Sequence, residues 1–191
     1  GSGELDELLA TGNGYSVIVQ IGADLGAANG DVYHRSFAAI GGETTDASVA
    51  ALTGTATYEG YGRIDAYAAT DFENSSTDRS RIRGDVTMTA DFGVGEISGR
   101  MDDLTLQAPS ESDRNAIAGQ IDFGTASITQ NSFSGAVSSN AALETAGLTI
   151  NDGSTYTGAF FGPDADEVSG VISATGALNG EVVNAIGYFT E

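Results

Sequence analysis

Eight strand-like segments fill the chain from residue 52 onward, at 54–68, 81–92, 95–106, 116–128, 133–139, 155–162, 167–175 and 182–190, and each contains glycine. Apolar and polar side chains alternate along them, and turn-rich intervals separate them. The glycines are Gly60 and Gly62, Gly84, Gly99, Gly119, Gly135, Gly158, Gly170 and Gly187. Glycine weakens a flat strand, so its recurrence in all eight needs a cause. Strong bending of a sheet that closes on itself supplies one. Eight strands suit a small barrel whose interior side chains can fill. The expected fold class is all-β: a C-terminal eight-stranded antiparallel β-barrel over 51–191, preceded by a small N-terminal β-handle over 4–50. With 27 glycines, 2 prolines, no strict triplet period and 40% hydrophobic residues, collagen-like and disordered chains are excluded.

Residues 156–172 read YTGAFFGPDADEVSGVI. Tyr156, Gly158 and Phe160 share one face of a strand, and Val168, Gly170 and Ile172 share one face of the next. The intervening Gly162-Pro163-Asp164-Ala165-Asp166 stops both strands. Physically this is a hairpin. Its wording, Phe160-Phe161-Gly162-Pro163 followed by Ala165, Glu167, Val168 and Gly170, resembles the signature near the C-terminus of the transferrin-binding protein B-like barrel family. That family includes factor H-binding protein and secreted, haem-binding hemophilin-type proteins. The resemblance extends through 54–60, 89–92, 97–104, 119–123, 132–135 and 187–189, and so covers about residues 52 to 191. Full transferrin receptors of this type carry two lobes, whereas this chain holds one.

In the N-terminal part, Gly1-Ser2-Gly3 is set aside as an expression remnant. Residues 4–10 read as a short helical turn or a frayed lead-in. Residues 15–21 are β-branched and strand-forming, and 31–40 read as a second strand, with Tyr33, Arg35 and Phe37 on one face and His34 on the other. Residues 41–50 read as a loop. His34 is the only histidine. Its imidazole can ligate haem iron axially, and Tyr33 offers a phenolate instead. The alternative is a half-exposed strand histidine with no ligand.

The chain carries 27 acidic residues against 7 arginines and no lysine, a net charge of −20. That balance repels nucleic acid and anionic membrane surfaces. It suits either solubility in a salty medium or steering of a cationic partner. The absence of cysteine removes disulfides and thiolate chemistry, and a single histidine removes most nucleophile–base triads and histidine-rich metal sites. Asp102 and Asp103 point to opposite faces of a regular strand, which argues against joint catalytic work. Asp164 and Asp166 read as solvated turn carboxylates rather than a calcium site. An enzyme is not expected. The longest connections, 71–80, 107–115 and 141–154, are the default binding surface. The first ends at Arg79, Arg81 and Arg83, which either meet a carboxylate or haem propionate or balance Asp78 and Asp85.

The resemblance implies a non-enzymatic binding protein at, or secreted from, the surface of a Gram-negative bacterium, with a lipid anchor in the full-length form. Its task would be capture of haem or of an iron-carrying protein and delivery to an outer-membrane transporter. His34, Tyr33, Arg79, Arg81 and Arg83 are the candidate contacts, and haem the one cofactor to consider. The alternatives are a cofactor-free interaction or adhesion module and a surface or stalk protein adapted to salt water.

Overall fold

Strands β1 (Glu4–Thr11), β2 (Ser16–Asp24) and β3 (Tyr33–Gly41) form their own antiparallel sheet in the order β1-β2-β3. The computed structural model describes residues 4–11, 14–24, 33–68, 79–109 and 111–191. The reading of 4–10 as a helical turn or a frayed lead-in is corrected here, because that segment is β1, paired to β2 with Leu8 opposite Ile21. Its leucines at positions 5, 8 and 9 carry a helix-like spacing, but eight residues are too few to hold a helix without tertiary support. The 41–50 segment is not all loop either. Helix α1 (Asp46–Ala51) starts there, with the Thr45 side chain capping Ser48 N–H.

The remaining elements are β4 (Thr55–Ala68), β5 (Arg79–Asp91), β6 (Glu96–Gln107), β7 (Asn115–Ala116), β8 (Ile121–Thr129), β9 (Ser132–Ser139), α2 (Ala141–Thr145), β10 (Leu148–Ile150), β11 (Thr155–Phe161), β12 (Glu167–Leu178) and β13 (Glu181–Thr190). Eight of the strands run β4-β5-β6-β8-β9-β11-β12-β13, every neighbour antiparallel, and β13 returns to β4. The sheet therefore closes, as the eight glycine-bearing segments predict. Two short strands patch the wall: β7 adds to β6, and β10 adds to β12.

Alternation puts an aromatic core inside. Phe123 lies 5.2 Å from Tyr156 and 5.5 Å from Phe189 between ring centroids, and Phe160 lies 5.4 Å from Phe133 and 5.3 Å from Phe92. Burial pushes the Tyr156 phenol up to about 12, so it stays protonated, and its hydroxyl donates to the Gly124 carbonyl at 2.6 Å. Gly158 and Gly170 face each other across β11 and β12. A Cβ on Gly158 would stand 2.5 Å from Phe133 Cζ, and one on Gly170 would collide with the Phe189 ring. In this hairpin the glycines make room for rings as well as allowing curvature.

The outer wall is polar. Thr57, Glu59, Arg63, Thr87 and Thr89 alternate with the buried positions of β4 and β5. Among the described residues no helix is long and apolar enough to cross a membrane.

Candidate binding surfaces

On the outside of β4, Arg63, Asp65 and Tyr67 follow one another at period two, and the register sets Arg83, Arg81 and Arg79 of β5 opposite them. Asp65 is fully buried although it points away from the core. The Arg63 guanidinium donates to it twice, through Nε at 2.8 Å and Nη2 at 2.6 Å. Arg79 Nε and Arg81 Nε each lie 3.3 Å from its carboxylate. Burial pushes the Asp65 carboxyl up, but the Arg63 hydrogen bonds and the charges of Arg63, Arg79 and Arg81 outweigh that and hold it below the usual carboxylate range. Arg79 and Arg81 thus serve Asp65, a residue on which the sequence reading placed no weight. Asp78 lies outside the described residues.

Arg83 is different. It faces Arg63 on β4 and Thr105 on β6, and no described carboxylate forms an ion pair with it. Its charged form is disfavoured by burial first and then by Arg114, Arg81 and Arg63. Asp85, two residues along β5, is exposed and sits opposite Tyr61 and Asp102 instead. Between Arg83 and Asp85 the register slips, so that β6 fits three steps, from Thr105 to Asp102, against two on β5. The extra residue is a bulge with Asp103 at φ 48°, and Met101 and Leu104 both turn inward. Asp102 and Asp103 therefore both lie outside, which corrects the expectation of opposite faces. Gly84 sits across from this bulge because a Cβ there would be 2.7 Å from Leu104 Cδ2. Asp102 is tied to Arg100 at 2.6 Å. Asp166 accepts from Asp164 N–H at 3.3 Å, and no group of three or more metal-ligating side chains occurs among the described residues.

The three-stranded sheet lies on β12 and β13. Glu167 accepts from Tyr15 N–H, Ser16 N–H and the Ser16 hydroxyl, each at 2.9 Å. The Ser16, Ser169 and Thr190 hydroxyls continue the chain at 2.8 Å per link. Because Ser16 gives its proton to a carboxylate, Ser169 must donate to Ser16 and Thr190 to Ser169. Farther along, Phe37 meets Tyr188 at 5.1 Å, and the Arg63 guanidinium stands 5.9 Å over the Phe37 ring. A groove of about 360 Å³ runs between β3 and the barrel, walled by Phe37, Ala38, Phe161 and Val171, with Glu43 as its charged residue.

The family model for the C-lobe and N-lobe β barrels of Tf-binding protein B matches residues 51–189. The chain belongs to this family. Among solved structures, an alanine double mutant of the vaccine antigen transferrin-binding protein B from Haemophilus parasuis superposes with a TM-score of 0.57 at 17% identity, over 96% of this chain and 33% of that one. The isotype 1 transferrin-binding protein B from serogroup B Neisseria meningitidis gives 0.52 at 24% identity, over 97% and 33%. At these identities the likeness carries the fold. The chain spans about a third of the length of these structures (33%). No curated protein sequence matches.

Within this transferrin-binding protein B-like barrel, the five residues singled out from sequence do not form one site. Arg79, Arg81 and Arg83 share the outer wall of β5, but only Arg83 is uncommitted to Asp65 among the described contacts. Tyr33 and His34 open β3, paired with Asp24 and Ala23, and their side chains lie outside the described residues. The groove beside β3 has no imidazole or phenol in its lining, and two of the three proposed propionate contacts already hold a carboxylate. Residues missed from sequence are Arg63, Asp65 and Arg114, and Glu167 is read there only as part of the hairpin signature. The first two were signalled by charged positions at period two on β4 opposite those on β5.

Proposed function

We propose that this chain is a non-enzymatic binding protein, displayed on or released from the surface of a Gram-negative bacterium, that captures an iron-carrying protein for delivery to an outer-membrane transporter. The supporting observation is membership of the Tf-binding protein B barrel family over residues 51–189. A water-facing outer wall and a packed interior agree with it, since a barrel filled by aromatic rings has no room for a cargo inside and must bind with its walls, loops and appended sheet. An iron-carrying protein is favoured over haem because Asp65 already occupies Arg79 and Arg81. Haem remains the cofactor to test, with His34 or Tyr33 as its axial ligand.

Immobilised protein exposed to iron-loaded and iron-free transferrin, measured by biolayer interferometry, should show saturable binding of at least one form. A parallel haem titration should show no saturable Soret shift. A 1:1 shift lost in His34→Ala would replace the protein cargo with haem. Binding of neither would leave the cofactor-free adhesion module as the reading.

A further inference from the structure

The lateral row Tyr188–Arg63–Arg83–Thr105–Ala116 crosses five strands of the outer wall, from β13 through β4, β5 and β6 to β7. Arg81 lies two residues from Arg83 along β5, and Arg114 lies two residues before Ala116 on the approach to β7. Five of the seven arginines in the chain, Arg63, Arg79, Arg81, Arg83 and Arg114, therefore converge on one face. Arg63, Arg79 and Arg81 are accounted for by Asp65. Arg83 and Arg114 are not: neither makes an ion pair with a described carboxylate. Like charges directly opposite on a sheet, as Arg63 and Arg83 are, cost stability, so their pairing needs a return elsewhere.

We propose that Arg83 and Arg114, backed by Arg63 and Arg81, form an anion-binding surface that receives the carboxylates of an extended acidic segment of a partner protein. This rests on the capture reading only for the identity of that partner. Carboxylate is the matching chemistry because the planar guanidinium fork donates two parallel hydrogen bonds to it. A protein segment fits better than nucleic acid or an anionic membrane. Those present continuous negative charge to a chain of net charge −20, whereas a short segment meets only the basic face. It fits better than a small dissolved anion as well. Phe37 covers the Tyr188–Arg63 end of the row, so the accessible part is the outer wall around Arg83 and the exposed Arg114, and the groove beside β3 is lined by other residues. The spacing agrees: neighbouring strands stand about 4.8 Å apart and alternate residues of one strand about 6.6 Å apart, which is also the repeat of side chains on one face of an extended peptide. Around the surface, Asp85, Asp102 and Asp103 form an acidic border on the bulge side, and Asp102 is neutralised by Arg100. That border would fix the direction in which an acidic segment lies.

The test is a titration of 15N-labelled protein with a hexaglutamate peptide at low salt, following the arginine Nε–H resonances. The Arg83 and Arg114 signals should move saturably while that of Arg100 stays in place. Arg83→Gln should weaken the peptide at least fivefold, and added sodium chloride should reverse the binding. Unmoved Arg83 and Arg114 signals would overturn the proposal. So would citrate saturating the same signals at lower concentration than the peptide, which would make this a small-anion site. Loss of transferrin binding with the peptide response intact would end the capture reading and leave the surface standing. Transferrin binding without any peptide response would do the reverse.

Discussion

Asp65 and Glu167 both project from the outer wall of the barrel, Asp65 into three guanidinium groups and Glu167 into two backbone N–H groups and a hydroxyl. Asp65 stitches β4 to β5 within the wall; Glu167 fastens a second sheet onto it. The ionic nest takes four charged side chains largely out of water, and that cost is recovered only while all of them are present. The seam at Glu167 needs no counter-charge, which suits a chain with 7 basic residues against 27 acidic ones. The lesson is one of allocation. Scarce arginines are concentrated where a carboxylate is fully buried, and backbone donors serve where it is only partly buried.

Removing the charge at Asp65 should break the comparison most severely. Asp65→Asn leaves Arg63, Arg79 and Arg81 facing one another without an anion, and loss of one partner from a buried ion network costs about 3–5 kcal/mol. Urea unfolding at neutral pH should show that loss. Acid should erase it. Because Asp65 titrates below the ordinary carboxylate range when folded, its contribution is complete above its unfolded pKa, about 3.9, and disappears as pH falls through the folded value. The gap between wild type and Asp65→Asn should therefore be widest above about pH 5 and should close in acid. A gap that is independent of pH would mean that packing, not charge, holds the nest.

Glu167→Ala should have a smaller and more local effect. It strands two N–H donors and the Ser16 hydroxyl, for a loss of about 1–3 kcal/mol in the attachment of the N-terminal sheet. Amide exchange at Tyr15 and Ser16 should accelerate while exchange in β11 and β13 stays slow. Equal acceleration in the barrel strands would show that sheet and barrel unfold as one unit.

The barrel was legible because its information is local. Alternation, turn residues and interior glycines are each visible within a few positions, and they locate all eight wall strands. Helix α1 carried a legible Thr45 cap, but six residues cannot display a 3.6-residue period. The β12–β13 turn, Asn179-Gly180 with φ of 52° and 87°, also had its signal in plain sequence. The charged surface was harder. That Arg81 faces Asp65 while Arg83 faces Arg63 depends on the register between β4 and β5, which no single segment encodes. The bulge at Asp103 is harder still, since one inserted residue reverses the faces assigned by strict alternation. Strand existence is therefore readable here, and cross-strand chemistry is not.

Arg83→Gln is the mildest of these changes and the most informative about the basic face. If Arg83 were a further prop of the Asp65 nest, its loss would destabilise the fold in the manner of Asp65→Asn. Its surroundings argue otherwise: its cross-strand partner is Arg63, the charges that act on it include Arg114, Arg81 and Arg63, and burial already disfavours its cation. Replacing it with a neutral side chain of similar reach removes repulsion and keeps the aliphatic contacts of the stem. Unfolding free energy should stay within about 0.5 kcal/mol of wild type, with any change toward greater stability. Any difference in the variant's favour should widen as salt is lowered, because the repulsion it relieves is strongest there. A destabilised Arg83→Gln would make Arg83 a structural residue and join the two halves of the arginine face into one ionic network.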